Sequence, residues 1–169
     1  MFGWRRPPTQ RHAAVYKFKR NYVVATQVQI RSGPITEVDW SALPVSANPS
    51  DLGRLTTDAL NSFSEVVQSA TSKTSYRKSV AQSCGIAESA LVLSNALLVS
   101  VYLEDDILRL TPHRNGGSTS EDRGQHPLDD LETTIKRSSD QELGQAIMQC
   151  FEHSIVQKWW AVEHNHGLA

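Results

Sequence analysis

Residues Leu97 to Gly117 read "LLVSVYLEDDILRLTPHRNGG". Two apolar runs, Leu97–Leu103 and Ile107–Thr111, flank the pair Asp105-Asp106. Val, Ile, Leu, Tyr and Thr suit a pleated, half-buried strand, and Asp is a turn former because its short side chain bonds the local backbone. The spacing therefore predicts a β-hairpin turning at Asp105-Asp106. Pro112 is expected to end its second strand, and the chain to about Pro127 to be a long polar loop carrying His113, Arg114 and Gly116-Gly117. Such a hairpin presents either an active-site loop or a docking surface, and spacing alone leaves both open.

Outward from the hairpin, the period of the apolar residues changes twice. On the N-terminal side, "AAVYKFKRNYVVATQVQI" (13–30) reads as strand material in partial alternation. Gly33-Pro34 marks a turn, and "ITEVDWSALPV" a further extended segment with Val38 and Trp40 on one face. Asn48, Pro49 and Asp51 then supply a cap, a first-turn proline and an acid, and Leu52, Leu55, Ala59, Phe63, Val66 and Val67 recur at helical spacing. A helix to about Ala70 is predicted. A shorter one over Tyr76–Cys84 should end at Gly85, with further helical turns between Ala87 and Asn95. On the C-terminal side, "LDDLETTIKR" holds a strand ending near Arg137. Ser139 with Glu142 forms a capping-box pattern, and Leu143, Ala146, Ile147, Cys150 and Phe151 make one buried helical stripe. Trp159-Trp160 are expected to anchor the tail.

The whole chain, 169 residues and 18.8 kDa, is long enough to bury a core as one domain over 1–169. Residues 1–12 are expected to form a basic N-terminal arm and 161–169 a loose C-terminal tail. No apolar run reaches the roughly 18–20 residues of a membrane span. Two cysteines, Cys84 and Cys150, lack metal-ligand spacing and fit a reducing, cytoplasmic compartment. The net charge of −1 hides an asymmetry: before Glu37 stand seven basic residues and no acid, and between Glu104 and Glu132 stand eight acids against three bases. The Arg-rich start invites a targeting reading, but Pro7-Pro8 interrupt any amphipathic helix and no apolar segment follows Arg5-Arg6.

The residues "ILRLTPHRNGG" (107–117) and "SSDQELGQAIMQCFE" (138–152), within a likeness spanning roughly Ser75 to Ser154, resemble an immunity-protein family of bacterial contact-dependent growth inhibition, the CdiI type. The resemblance implies an α+β fold, a single antiparallel β-sheet flanked by α-helices, with no cofactor and no catalysis. It also implies a cytoplasmic protein whose partner is the C-terminal toxin domain of a large secreted adhesin, often a nuclease. One departure is the absence of an aromatic shortly after Gly116-Gly117, where relatives carry one.

Against that background each chemical motif has a reading. The acids Glu104, Asp105, Asp106, Glu121, Asp122, Asp129 and Asp130 could hold a cation or act in acid–base chemistry, but a solvated turn and loop explain them more simply. They also suit a toxin-facing patch, because a nuclease cleft is basic and complementary charge speeds association. His113 and Arg114 join that set as polar loop residues; no serine or cysteine lies in a nucleophile-elbow context that would make His113 catalytic. His164-x-His166, with His153 and Glu163, is a weak metal pattern at a chain end. The rival reading is a single-stranded nucleic-acid module, with Trp4, Tyr16, Phe18 and Tyr22 stacking bases among Arg and Lys.

Overall fold

The computed structural model describes residues 10–31, 33–66, 75–117 and 123–156. They form an α+β fold built on one nine-stranded, mostly antiparallel sheet with the path β3-β2-β1-β5-β6-β7. The strands are β1 (Gln10–Lys17), β2 (Asn21–Ile30), β3 (Ile35–Pro44), β4 (Ser64–Val66), β5 (Leu97–Glu104), β6 (Ile107–Asn115), β7 (Gln125–Pro127), β8 (Thr133–Lys136) and β9 (Ile155–Val156). The helices are α1 (Pro49–Asn61), α2 (Tyr76–Cys84) and α3 (Asp140–Phe151), with short 3₁₀ turns at Glu88–Ala90, Leu93–Asn95 and Asp129–Leu131. Two short pairings, β4 on β2 and β9 on β6, are parallel, so the sheet is not wholly antiparallel as expected. Among the described residues no helix is long and apolar enough to cross a membrane.

The opening hairpin forms as read. Asp105 and Asp106 take φ of 47° and 65°, the two left-handed positions of a tight two-residue turn. Its second strand, however, runs straight through Pro112 to Asn115. The Pro112 carbonyl accepts from Leu128 N–H at 2.9 Å, so that residue's backbone polar groups face β7 and β8 rather than β5. The missing N–H of proline thus falls at the gap where β8 has ended and β7 has yet to begin. His113, Arg114 and Asn115 consequently lie in a strand, not in a loop.

Three further expectations change. The stretch 13–30 is two strands, broken where Phe18 N–H bonds Asn21 O at 2.8 Å. β1 already starts at Gln10, so residues 10–12 of the expected arm belong to the sheet, and residues 1–9 lie outside the described residues. Helix α1 stops at Asn61 rather than near Ala70. There the Ser62 N–H and hydroxyl both return to Asp58 O, and Ser64–Val66 find backbone partners in β2. Val67–Ala70, Trp159-Trp160 and the tail 161–169 fall outside the described residues.

One face of the sheet carries the main core. Val15, Val24, Val99, Val101, Leu108 and Leu110 meet Leu52 and Leu60 of α1 and Leu143, Ile147 and Phe151 of α3. Each such side chain contributes about 1.5–3 kcal/mol through the apolar surface it removes from water. Asn48 caps α1 by accepting from Asp51 N–H at 2.9 Å, and Ser139 caps α3 by accepting from Glu142 N–H at 3.2 Å. The helices approach so closely that a Cβ on Gly53 would overlap the Asp140 carbonyl, and one on Gly144 the Pro49 carbonyl. Helix α2 and the 3₁₀ turns at Glu88–Ala90 and Leu93–Asn95 lie on the opposite face, over Phe18, Val23, Leu91 and Ala96.

Candidate functional site

Alternation along β1, β5 and β6 sends His12, Tyr16, Ser100, Tyr102, Arg109, Thr111 and His113 to the face that α1 and α3 leave free. Polar groups are bonded in pairs across it. At the hairpin end, Glu104 accepts from Gln10 Nε2 at 3.1 Å and lies 3.6 Å from Arg109 Nη2. His12 packs edge-on to Tyr102 with centroids 4.7 Å apart. Burial, then the Arg109 charge, lowers its pKa. In the middle, Thr111 donates to Glu132 at 3.0 Å and Ser100 Oγ lies 2.8 Å from His113 Nε2.

The Ser100–His113 pair has the reach of a nucleophile and base but not the rest of a triad. Burial pushes the imidazole down to about 4, with Asp129 raising it less strongly and His126 lowering it further. Asp129 therefore senses the ring, yet His113 Nδ1 is buried with no hydrogen-bond partner among the described residues. A triad needs its carboxylate on that nitrogen to fix the tautomer. Ser100 also lies mid-strand, and His113 is 8% exposed. The pair acts as a cross-strand tie. Among the described residues no group of three or more His, Cys, Asp or Glu is placed to hold a metal.

The predicted site residues separate into two groups. Glu104, Asp105 and Asp106 crowd the hairpin tip, where Asp106 O also accepts from Arg137 N–H at 2.7 Å. Asp129 and Asp130 are exposed on the 3₁₀ turn near His113, about 20 Å away along β6 at the usual strand rise. His113 is buried on one face of β6, and alternation sends Arg114 to the other. Glu121 and Asp122 lie outside the described residues.

The nucleic-acid rival loses two of its stacking rings. Phe18 and Tyr22 are 6% and 4% exposed, and Tyr16 donates to Glu37 at 2.7 Å; Trp4 lies outside the described residues.

A second polar centre had no signal in local spacing. Glu37 Oε1 accepts from Tyr16, and its Oε2 accepts from Tyr76 Oη at 2.7 Å and Trp40 Nε1 at 3.0 Å. A bulge makes this possible: Thr26 pairs Asp39 and Gln27 pairs Glu37, which leaves Val38 without a partner. Val38 and Trp40 therefore part company, Val38 being 47% exposed and Trp40 packed against Tyr76. Beside the tyrosines is a cavity of about 340 Å³, and a second of about 360 Å³ has Phe18, Lys19, Arg20 and Val92 among its walls.

Fold and face together define an α+β protein with one sheet face packed by α1 and α3 and the other carrying a smaller apolar cluster under α2 beside bonded polar groups. No protein-family model matches the sequence, and no curated protein matches it. Among solved structures, it is similar to the protein of unknown function NMB0488 from Neisseria meningitidis, at 14% identity and a TM-score of 0.69 over 89% of this chain and 99% of that one. It is likewise similar to a chain of the CdiA-CT/CdiI toxin and immunity complex from Yersinia pseudotuberculosis, at 13% identity and a TM-score of 0.61 over 88% and 99%. At these identities the likeness is one of fold.

Proposed function

We propose that this chain is a cytoplasmic immunity protein that binds and neutralises the toxin domain of a contact-dependent growth inhibition system. The observation carrying the reading is the fold shared, over nearly the whole of both chains, with a chain of the toxin and immunity complex. The acids at the hairpin tip and on the Asp129–Leu131 turn support a basic partner, as a nuclease domain would be. In this reading Glu104, Asp105, Asp106, Asp129 and Asp130 face the toxin, together with Arg114 and with Glu121 and Asp122, while the buried His113 ties β6 to Ser100 of β5. Inhibition is by stoichiometric occlusion, with no turnover and no cofactor.

The test is co-expression of the full chain with the toxin domain encoded beside it. Restored growth and a one-to-one complex on size exclusion are expected. Undiminished toxicity with no complex would overturn the reading.

A further inference from the structure

The sheet face under α2 is charged with opposite signs at two places. At the turn between β1 and β2, Lys19 and Arg20 are exposed and stand in the wall of the cavity of about 360 Å³. Phe18, Ala90 and Val92 supply the apolar part of that wall. Glu88 opens the same 3₁₀ turn as Ala90, but it is not among the described residues that line the cavity. Val92 and its neighbour Leu93 are 42% and 37% exposed.

The opposite sign lies across the sheet, on the Asp129–Leu131 turn. Leu128 N–H bonds Pro112 O at 2.9 Å and Thr111 donates to Glu132 at 3.0 Å, which fixes the turn beside β6 on the same face. Leu131 is 44% exposed, Asp129 and Asp130 precede it, and no Lys or Arg occurs from Gln125 to Ile135. The hairpin tip differs. There the exposed Ile107 pairs with Lys136, and Arg109 and Arg137 lie beside the acids. The Asp129–Leu131 turn thus couples an exposed leucine to charge of one sign.

We infer that this face closes on a second copy of the chain about a two-fold axis, Leu131 of each copy entering the Lys19–Arg20 cavity of the other while Asp129 and Asp130 meet its cations. A surface with cations at one end, acids at the other and exposed aliphatic side chains at both is complementary to itself after a half-turn, so both contacts form at once and the assembly stops at two copies. The path β1-β5-β6-β8 sets the two ends roughly 15 Å apart at the usual strand spacing. Leu93 lies between them, in the wall of the tyrosine-lined cavity that Gly124 and Gln125 also line. The contact therefore has an apolar centre and a charged rim, the ordinary anatomy of an interface between proteins. The inference does not rest on the immunity reading. Where both hold, Asp129 and Asp130 cannot serve the toxin and a second copy together, so the two partners exclude each other.

The experiment is sedimentation equilibrium of the isolated full-length chain at about 5–300 µM. A reversible monomer–dimer equilibrium is expected, weaker at high salt because charges flank the contact. A monomer throughout, or growth beyond two copies, would overturn the inference. Two charge-reversed variants locate the contact: Lys19→Glu with Arg20→Glu, and Asp129→Lys with Asp130→Lys. Each alone should lose self-association by about tenfold or more, and an equimolar mixture should restore a dimer holding one of each, since every contact then joins unlike charges. Leu131→Ser, at an exposed position where folding is undisturbed, should weaken the dimer without altering its salt dependence. Wild-type association in Leu131→Ser, or in both charge-reversed variants, would place the contact elsewhere and overturn the inference. Neither result bears on toxin binding, which the co-expression test reads separately.

Discussion

The two faces of the sheet solve different problems. On the α1–α3 face the packing is mainly apolar and close: Ile147, Leu52, Leu108 and Leu110 are at most 1% exposed, and the helix backbones touch at two glycines. On the other face the polar side chains of Ser100, Thr111, His113, Glu37 and Tyr16 are tied in pairs across strands. The first arrangement tolerates no added atom; the second tolerates no lost partner. The difference teaches that close apolar packing and cross-strand polar pairing fail in different ways.

The sharpest way to break that comparison is to add one methyl group where the helices cross. Gly144→Ala and Gly53→Ala each drive a Cβ into a carbonyl oxygen of the opposite helix, and backbone cannot swing aside as a long side chain does. Each should cost about 3 kcal/mol or more, measured by urea unfolding. A cost within about 0.5 kcal/mol would mean that the helices separate freely, and the contrast between the faces would fail.

The polar face should reveal itself through pH. Unfolded, His113 titrates near 6.5; folded, burial pushes it down to about 4. Between those values the unfolded chain binds the proton and the folded chain does not. Stability is therefore complete above about 6.5 and falls as the pH drops toward 4, by about 3 kcal/mol at the acid limit. His12, also lowered by burial, adds a slope of the same sign. In His113→Gln the fall between pH 6.5 and 4.5 should flatten relative to wild type. Superimposable pH profiles would show that the imidazole titrates normally.

How far the sequence discloses this molecule follows the same division. The stripe Leu143, Ala146, Ile147, Cys150 and Phe151 is local and periodic, and all five side chains are buried. The Asp105-Asp106 turn and both helix caps are equally local. Hidden from a linear reading were features set by pairing between distant segments. Pro112 reads as a strand end, because nothing near it shows that its nitrogen faces a gap between two edge strands. Glu37 and Trp40, three apart in an extended segment, share a face only through a bulge defined by β2. Tyr16 and Tyr76 reach the same carboxylate from β1 and α2. The acids at the hairpin tip were legible as a turn, while a toxin partner for them is an expectation that only the resemblance supplies.

Turn and docking can be separated at Asp105-Asp106, where the stability effect should be smallest. Both residues hold positive φ, which Asp tolerates at a cost and which Asn and Gly accept more readily. Replacing the pair by Asn-Gly (Asp105→Asn with Asp106→Gly) keeps the tight turn and the backbone bond from Arg137 N–H to residue 106, and removes both charges. Stability should stay within about 0.5 kcal/mol of wild type, on the stabilising side. Rim charges act on encounter rather than on the lifetime of a complex, so association with a basic toxin domain should slow several-fold at low salt while dissociation is unchanged. Stopped-flow rates equal to wild type would confine these two acids to the turn. The proposed docking role would then fall to the exposed acids of the Asp129–Leu131 turn.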